Sequence, residues 1–162
     1  MAEQNVLQHH TGALVVRTSA FFGPWDEHNF VAQALGAVGR GEPFAAPDDV
    51  TISPTYVPDL VHCCLDRMID GECGIWHLTN GTAVTWHALA QTAARLAGID
   101  SGTLIGQANE PSGRQAARPA YSVLGSTRGS MLPSLDSALA RFVTARDHVH
   151  DTVENFNATE NR

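Results

Sequence analysis

Gly12-Ala13-Leu14-Val15-Val16-Arg17-Thr18-Ser19 sets four consecutive apolar residues between a glycine and a polar turn. The run has strand length and no polar alternation, so it predicts a strand over 13–16 buried on both faces, as in a parallel sheet. Gly74-Ile75-Trp76-His77-Leu78-Thr79 reads as a second strand of the same kind. Between them, Asn29 to Val38 is helical, with Phe30, Ala34, Leu35 and Val38 on one face, and Gly39 and Gly41 end it. Pro58 suits the first turn of a further helix, on which Leu60, Val61, Cys64, Leu65, Met68 and Ile69 form an apolar stripe expected to face the core.

Working outward, Gln4 to His10 reads as the end of a helix. Asp48 to Thr55 is turn-rich with a brief β stretch. Thr85 can cap a helix running to Gly98, and Thr103 to Ile105 is a short strand. Residues 108–119 form a Pro/Gly loop, Tyr121 to Leu124 another strand, and Leu135 to His150 a last helix. Strands alternating with helices define the fold class as α/β with a parallel sheet. Residues 1–150 are expected to form one domain, followed by a polar tail over 151–162.

Composition narrows the function. The chain has 162 residues, 43% apolar and 17% charged, enough for one domain with a core. Net charge is −7, and all ten cations are arginines, with no lysine. A chain without a dense basic cluster is not built for nucleic acid, although one or two arginines suffice to hold a diphosphate. No apolar run approaches the roughly 20 residues that span a bilayer. The three cysteines, Cys63, Cys64 and Cys73, are expected to be reduced thiols in a cytoplasmic protein.

Several segments carry a family resemblance in the right order. Leu14 to Ser19, then Phe22-Gly23-Pro24 and Asn29-Phe30, resembles the segment after the catalytic helix of dTDP-4-dehydrorhamnose reductases, which are extended short-chain dehydrogenase/reductases. Thr51 to Thr55 with Asp59-Leu60, Gly74 to Thr79 with Trp86, and Arg118-Pro119 with Leu132-Pro133 continue it. The resemblance implies the C-terminal, sugar-nucleotide-binding part of an NAD(P)H-dependent oxidoreductase, and a homodimer or a partner chain carrying the Rossmann half. Ala2-Glu3-Gln4 resembles residues just past the catalytic lysine, so the chain is expected to begin there. Alternative readings are a non-catalytic binding or regulatory module, or the matching half of a nucleotide-sugar epimerase or dehydratase.

That family's chemistry uses a Tyr and a Lys four residues apart on one helix face. Here Tyr56 is followed by Leu60 and Tyr121 by Gly125, and there is no lysine. Gly36, Gly39 and Gly41 lack the dinucleotide spacing and lie at a helix end. No catalytic residue is therefore expected, and NAD(P)H is expected in a full-length parent rather than on this chain alone.

By resemblance, Thr18, Ser19, Ala20 and Phe21 face the sugar beyond the first strand's carboxyl end, where open α/β sheets bind ligands. Members of the family usually carry Trp where Ala20 stands. Asn29 either touches substrate or caps the helix at Phe30. Thr55 is expected to line the same pocket, and Arg118 to contact the nucleotide diphosphate. Arg17 is expected to pair with a carboxylate. The eight histidines lack metal-ligand spacing, so no metal site is expected.

Overall fold

The computed structural model describes residues 2–109, 119–129 and 132–146. Along the chain come α1 (Ala2–His9), β1 (Leu14–Arg17), β2 (Phe21–Phe22), α2 (Phe30–Gly39) and β3 (Phe44–Pro47). β4 (Thr51–Ile52), β5 (Thr55–Tyr56), α3 (Val57–Ile69), β6 (Gly74–His77) and β7 (Val84–Thr85) follow. α4 (Trp86–Leu96), β8 (Leu104–Gln107), β9 (Tyr121–Ser122) and a helix α5 over 135–146 complete the described residues. The expected tail over 151–162 lies outside them.

The two strands read first from the sequence do pair, in parallel, from Leu14 opposite Gly74 to Arg17 opposite His77. Leu14 and Val16 of β1 join Trp76 and Leu78 against Leu60, Cys63 and Cys64 of α3. β1 is nonetheless half-buried rather than buried on both faces. Side chains alternate across a strand, so Val15 and Ile75 share the second face. Among the described residues α3 covers only the first face, and Ile75 stays exposed.

α3 departs further from expectation. Pro58 stands in its first turn as read, but the helix buries Asp59 and Cys63. Val61, Leu65, Met68 and Ile69 face outward, with Ile69 83% exposed. Apolar residues populate two faces of this helix, and the sheet takes only one of them.

The larger core surrounds the short strands. Phe22, Val31, Leu35, Ile52, Tyr56, Leu89, Leu139 and Phe142 bring α2, α4 and α5 together on β2, β4 and β5. β2 and β5 pair in parallel, as do β3 and β8, while β4 lies between β7 and β9. Of these short strands, β2, β3 and β7 were not legible in sequence, because two to four residues carry little periodicity. Parallel pairing also joins segments far apart in the chain. Helix ends follow local rules. The Thr85 hydroxyl accepts from Ala88 N at 3.1 Å to start α4, and Gly41, at φ +72°, follows the end of α2.

Candidate functional site

The parallel pair β1–β6 opens at its carboxyl end onto Thr18, Ser19, Ala20 and Phe21. Ala20 has φ +47°, and among the described residues it is the one non-glycine with positive φ. A backbone there costs on the order of 1 kcal/mol and persists only where neighbours over-determine it. The neighbour is Thr55, whose N–H donates to the Ala20 carbonyl at 3.0 Å. Phe21 lies opposite Thr55 in the β2–β5 register and leaves its ring exposed.

The Thr18 and Thr55 hydroxyls lie 3.0 Å apart. Thr55 is fully enclosed, while Thr18 and Ser19 are half-buried. A hydroxyl both donates and accepts, so this pair has two orientations. With Thr55 donating, the Thr18 hydrogen is free for an acceptor outside the pair; with Thr18 donating, its lone pairs are free for a donor. Such a pair suits the carbonyls and hydroxyls of a polar ligand.

Behind the pair lies a buried charge. The Asp59 carboxylate, in the first turn of α3, accepts from Arg141 Nη1 at 2.5 Å and Nη2 at 2.7 Å, and from Asn80 Nδ2 at 3.0 Å. Burial pushes this carboxyl up. The hydrogen bonds from Arg141 and Asn80, with the Arg141 charge, outweigh that and hold it below the usual aspartate value of 3.8. The Arg141 guanidinium also lies 5.0 Å from the centre of the Tyr56 ring. Burial raises the Tyr56 phenol, and the Arg141 cation offsets this only in part.

Asn29 performs the capping role. Its Oδ1 accepts from Ala32 N at 3.0 Å, and its Nδ2 donates to the carbonyls of Gly23 and Asp26. All three bonds are internal and the residue is 6% exposed, which leaves the side chain little freedom to reach a ligand. Asn29→Ala removes the cap and leaves the Gly23 carbonyl without this donor. It is expected to cost about 2 kcal/mol in a denaturant titration.

Arg17 pairs with a carboxylate, as read. It donates to Glu3 Oε1 at 2.9 Å and Oε2 at 2.5 Å, tying α1 to β1. Its Nη1 also meets His77 Nε2 at 3.2 Å, and the other ring nitrogen of His77 donates to the Gly125 carbonyl at 2.6 Å. Arg118 lies outside the described residues.

The described residues do not fit a dinucleotide pyrophosphate. That group needs an open helix N-terminus behind a glycine turn. Gly36 and Gly39 lie in the latter part of α2, and the N-termini of α2 and α4 are closed by their own Asn29 and Thr85 side chains. α3 has no side-chain cap, but Thr55 and Tyr56 rather than a glycine turn lead into it, and its first turn holds the Asp59 carboxylate. Cys63, Cys64 and Cys73 are free, and burial raises the thiols of Cys63 and Cys64, which favours the neutral thiol. Among the described residues no three His, Cys, Asp or Glu side chains are grouped to hold a metal, and no helix is long and apolar enough to cross a membrane. A groove of about 590 Å3 between α2, α5 and the Pro24–Glu27 turn includes none of Thr18, Ser19, Ala20, Phe21 or Thr55 in its lining.

The structure thus brings Thr18, Ala20, Phe21 and Thr55 together, with Ser19 between them. Sequence reading missed Asn80 and Arg141, and saw Asp59 only as part of a motif. Each looks ordinary locally: an Asn-Gly turn, a helix arginine and a first-turn acid.

Residues 1–148 match the family model described as the RmlD substrate binding domain. This chain belongs to that family. It is 32% identical over 123 residues to a dTDP-4-dehydrorhamnose reductase of Streptomyces griseus, covering 70% of this chain and 39% of that protein. It is 36% identical over 131 residues to a probable dTDP-4,6-dihydroxy-2-methyloxan-3-one 4-ketoreductase of Streptomyces antibioticus, covering 78% of this chain and 43% of that one. The solved dTDP-4-dehydrorhamnose reductase of Bacillus anthracis, in complex with NADP, superposes with a TM-score of 0.77 at 28% identity, over 86% of this chain and 51% of that chain. The RmlD substrate-binding domain therefore spans about two-fifths to one-half of the relatives it matches.

Proposed function

We propose that this chain is the nucleotide-sugar-binding portion of an NAD(P)H-dependent reductase of dTDP-4-keto-6-deoxysugars, and that it is not catalytic by itself. The observation that carries the reading is the match of the RmlD substrate-binding domain over residues 1–148. The relatives named above share a dTDP-linked keto sugar in their names, which supports that substrate class. The geometry supports it too: a turn at the carboxyl end of a parallel pair offers a half-buried hydroxyl, an exposed aromatic ring and a strained small residue.

In this reading Thr18 and Ser19 hydrogen-bond the sugar, and Phe21 packs on it. Ala20 and Thr55 shape the turn, and Arg118 holds the diphosphate as a bidentate cation. Asn29 contributes by holding the turn that follows Phe22. The proton donor and the dinucleotide cradle come from another half, in the same parent protein or in a partner chain. The outward face of α3, with Val61, Leu65, Met68 and Ile69, and the outer edge of β1 are the surfaces such a half or a second copy would cover.

Calorimetric titration of the chain with dTDP and dTDP-rhamnose tests this. Saturable binding is expected, weakened about tenfold or more in Arg118→Ala through loss of a charge-assisted bond. A folded protein that binds neither ligand contradicts the reading.

A further inference from the structure

We propose that Asn80 is a positioning residue that clamps Thr55 from behind and so sets where the Thr18–Thr55 hydroxyl pair stands at the turn after β1. The inference rests on the reading of this turn as part of a nucleotide-sugar site. It deepens that reading by naming what holds the site in register.

Asn80 follows β6 and is 2% exposed. Its backbone N–H donates to the Pro54 carbonyl at 3.1 Å, and its side-chain Oδ1 accepts from Tyr56 N at 2.7 Å. One residue therefore grips the peptide on both sides of Thr55. The two Nδ2 hydrogens go to Asp59 Oδ2 at 3.0 Å and to the Pro133 carbonyl at 2.8 Å. Three partners fix the amide's orientation, because a flip would set Nδ2 against the Tyr56 N–H and Oδ1 against two acceptors.

On its far side Thr55 holds the strained turn, with its N–H on the Ala20 carbonyl and its hydroxyl on Thr18. A continuous line of bonds thus runs from the end of β6, through β5, to the turn after β1. Such a line has a purpose here. β5 is two residues long and among the described residues pairs with β2 alone, and so short a parallel pair does not fix its own depth. Asp59, itself paired with Arg141, in turn holds the Asn80 amide, so α3 directly and α5 through that pair back the clamp.

A clamp and a merely satisfied buried amide differ in measurable ways. The test compares wild type, Asn80→Ala, Thr55→Val and the double variant, by amide hydrogen exchange without ligand and by dTDP-rhamnose titration well below each melting midpoint. In Asn80→Ala, exchange at the Thr55 amide is expected to rise about tenfold more than exchange in α4, and affinity to fall about tenfold, the worth of one well-made hydrogen bond. The double variant is expected to bind no more weakly than Thr55→Val, since both substitutions act through one residue.

Exchange at Thr55 that rises only in step with α4, with affinity within about twofold of wild type, would overturn the proposal. If folded wild type binds no nucleotide sugar, the functional reading fails, and the exchange data alone decide the clamp. Should Asn80→Ala not fold, Asn80→Ser, whose side chain is shorter and keeps the backbone bond to Pro54, is read by the same two measurements.

Discussion

Phe142→Ala is expected to lower the unfolding free energy by about 4 kcal/mol. The ring is 1% exposed in the larger core, on α5 beside Leu135, Ala138 and Leu139. It meets Phe22 edge-on at 5.7 Å between centroids, and Phe22 in turn meets Tyr56 at 5.3 Å. Truncation therefore opens a cavity and cuts the aromatic line that joins α5 to β2 and β5. A domain of this size is stable by about 5–15 kcal/mol, so the loss is a large share of the total. Urea titration of both proteins measures it directly. A cost under about 1 kcal/mol would mean that α5 does not pack where the structure puts it.

Asp59→Ala is expected to cost about 2–3 kcal/mol. It leaves Arg141 without its carboxylate and takes one acceptor from the Asn80 amide. Losing one partner of a fully buried pair costs more, but the Arg141 side chain is 43% exposed, and water takes up part of the deficit. The pH dependence has a definite sign. Asp59 is held below 3.8 in the folded chain, so the unfolded chain binds its proton first as pH falls. Its contribution is present in full above that value and is lost as pH drops through the lower folded value. The stability gap between wild type and Asp59→Asn is accordingly expected to stay constant from neutral pH down to about 5 and to narrow below about 4. A gap that does not change across that range would show that the carboxylate is not depressed.

Both effects arise from contacts among distant residues, and this marks the limit of sequence reading for the site. The turn over Thr18 to Phe21 was legible, because it follows a strand whose end is written in its polarity. Thr55 was legible through its motif. Asp59, Asn80 and Arg141 were not legible as a set, since no local pattern says that a helix acid, a turn amide and a helix arginine will meet. Asn29 left two readings open in sequence, and its internal hydrogen bonds give it the cap.

The sequence by itself determined the α/β class, the strands β1 and β6, the starts of α2 and α4, and the lack of a Tyr-Lys pair or glycine-rich cradle. Those features depend on residue type and short spacing: hydrophobic runs, capping side chains that bond within three residues, and groups that are either present or absent. Only the tertiary structure decided which face of α3 is covered, how the short strands pair, and that a buried carboxylate stands behind Thr55. α3 is apolar on more than one face, so hydrophobicity does not choose between them. Parallel pairing joins segments held apart by a crossover, and a charge is buried stably only where partners from other elements arrive to satisfy it.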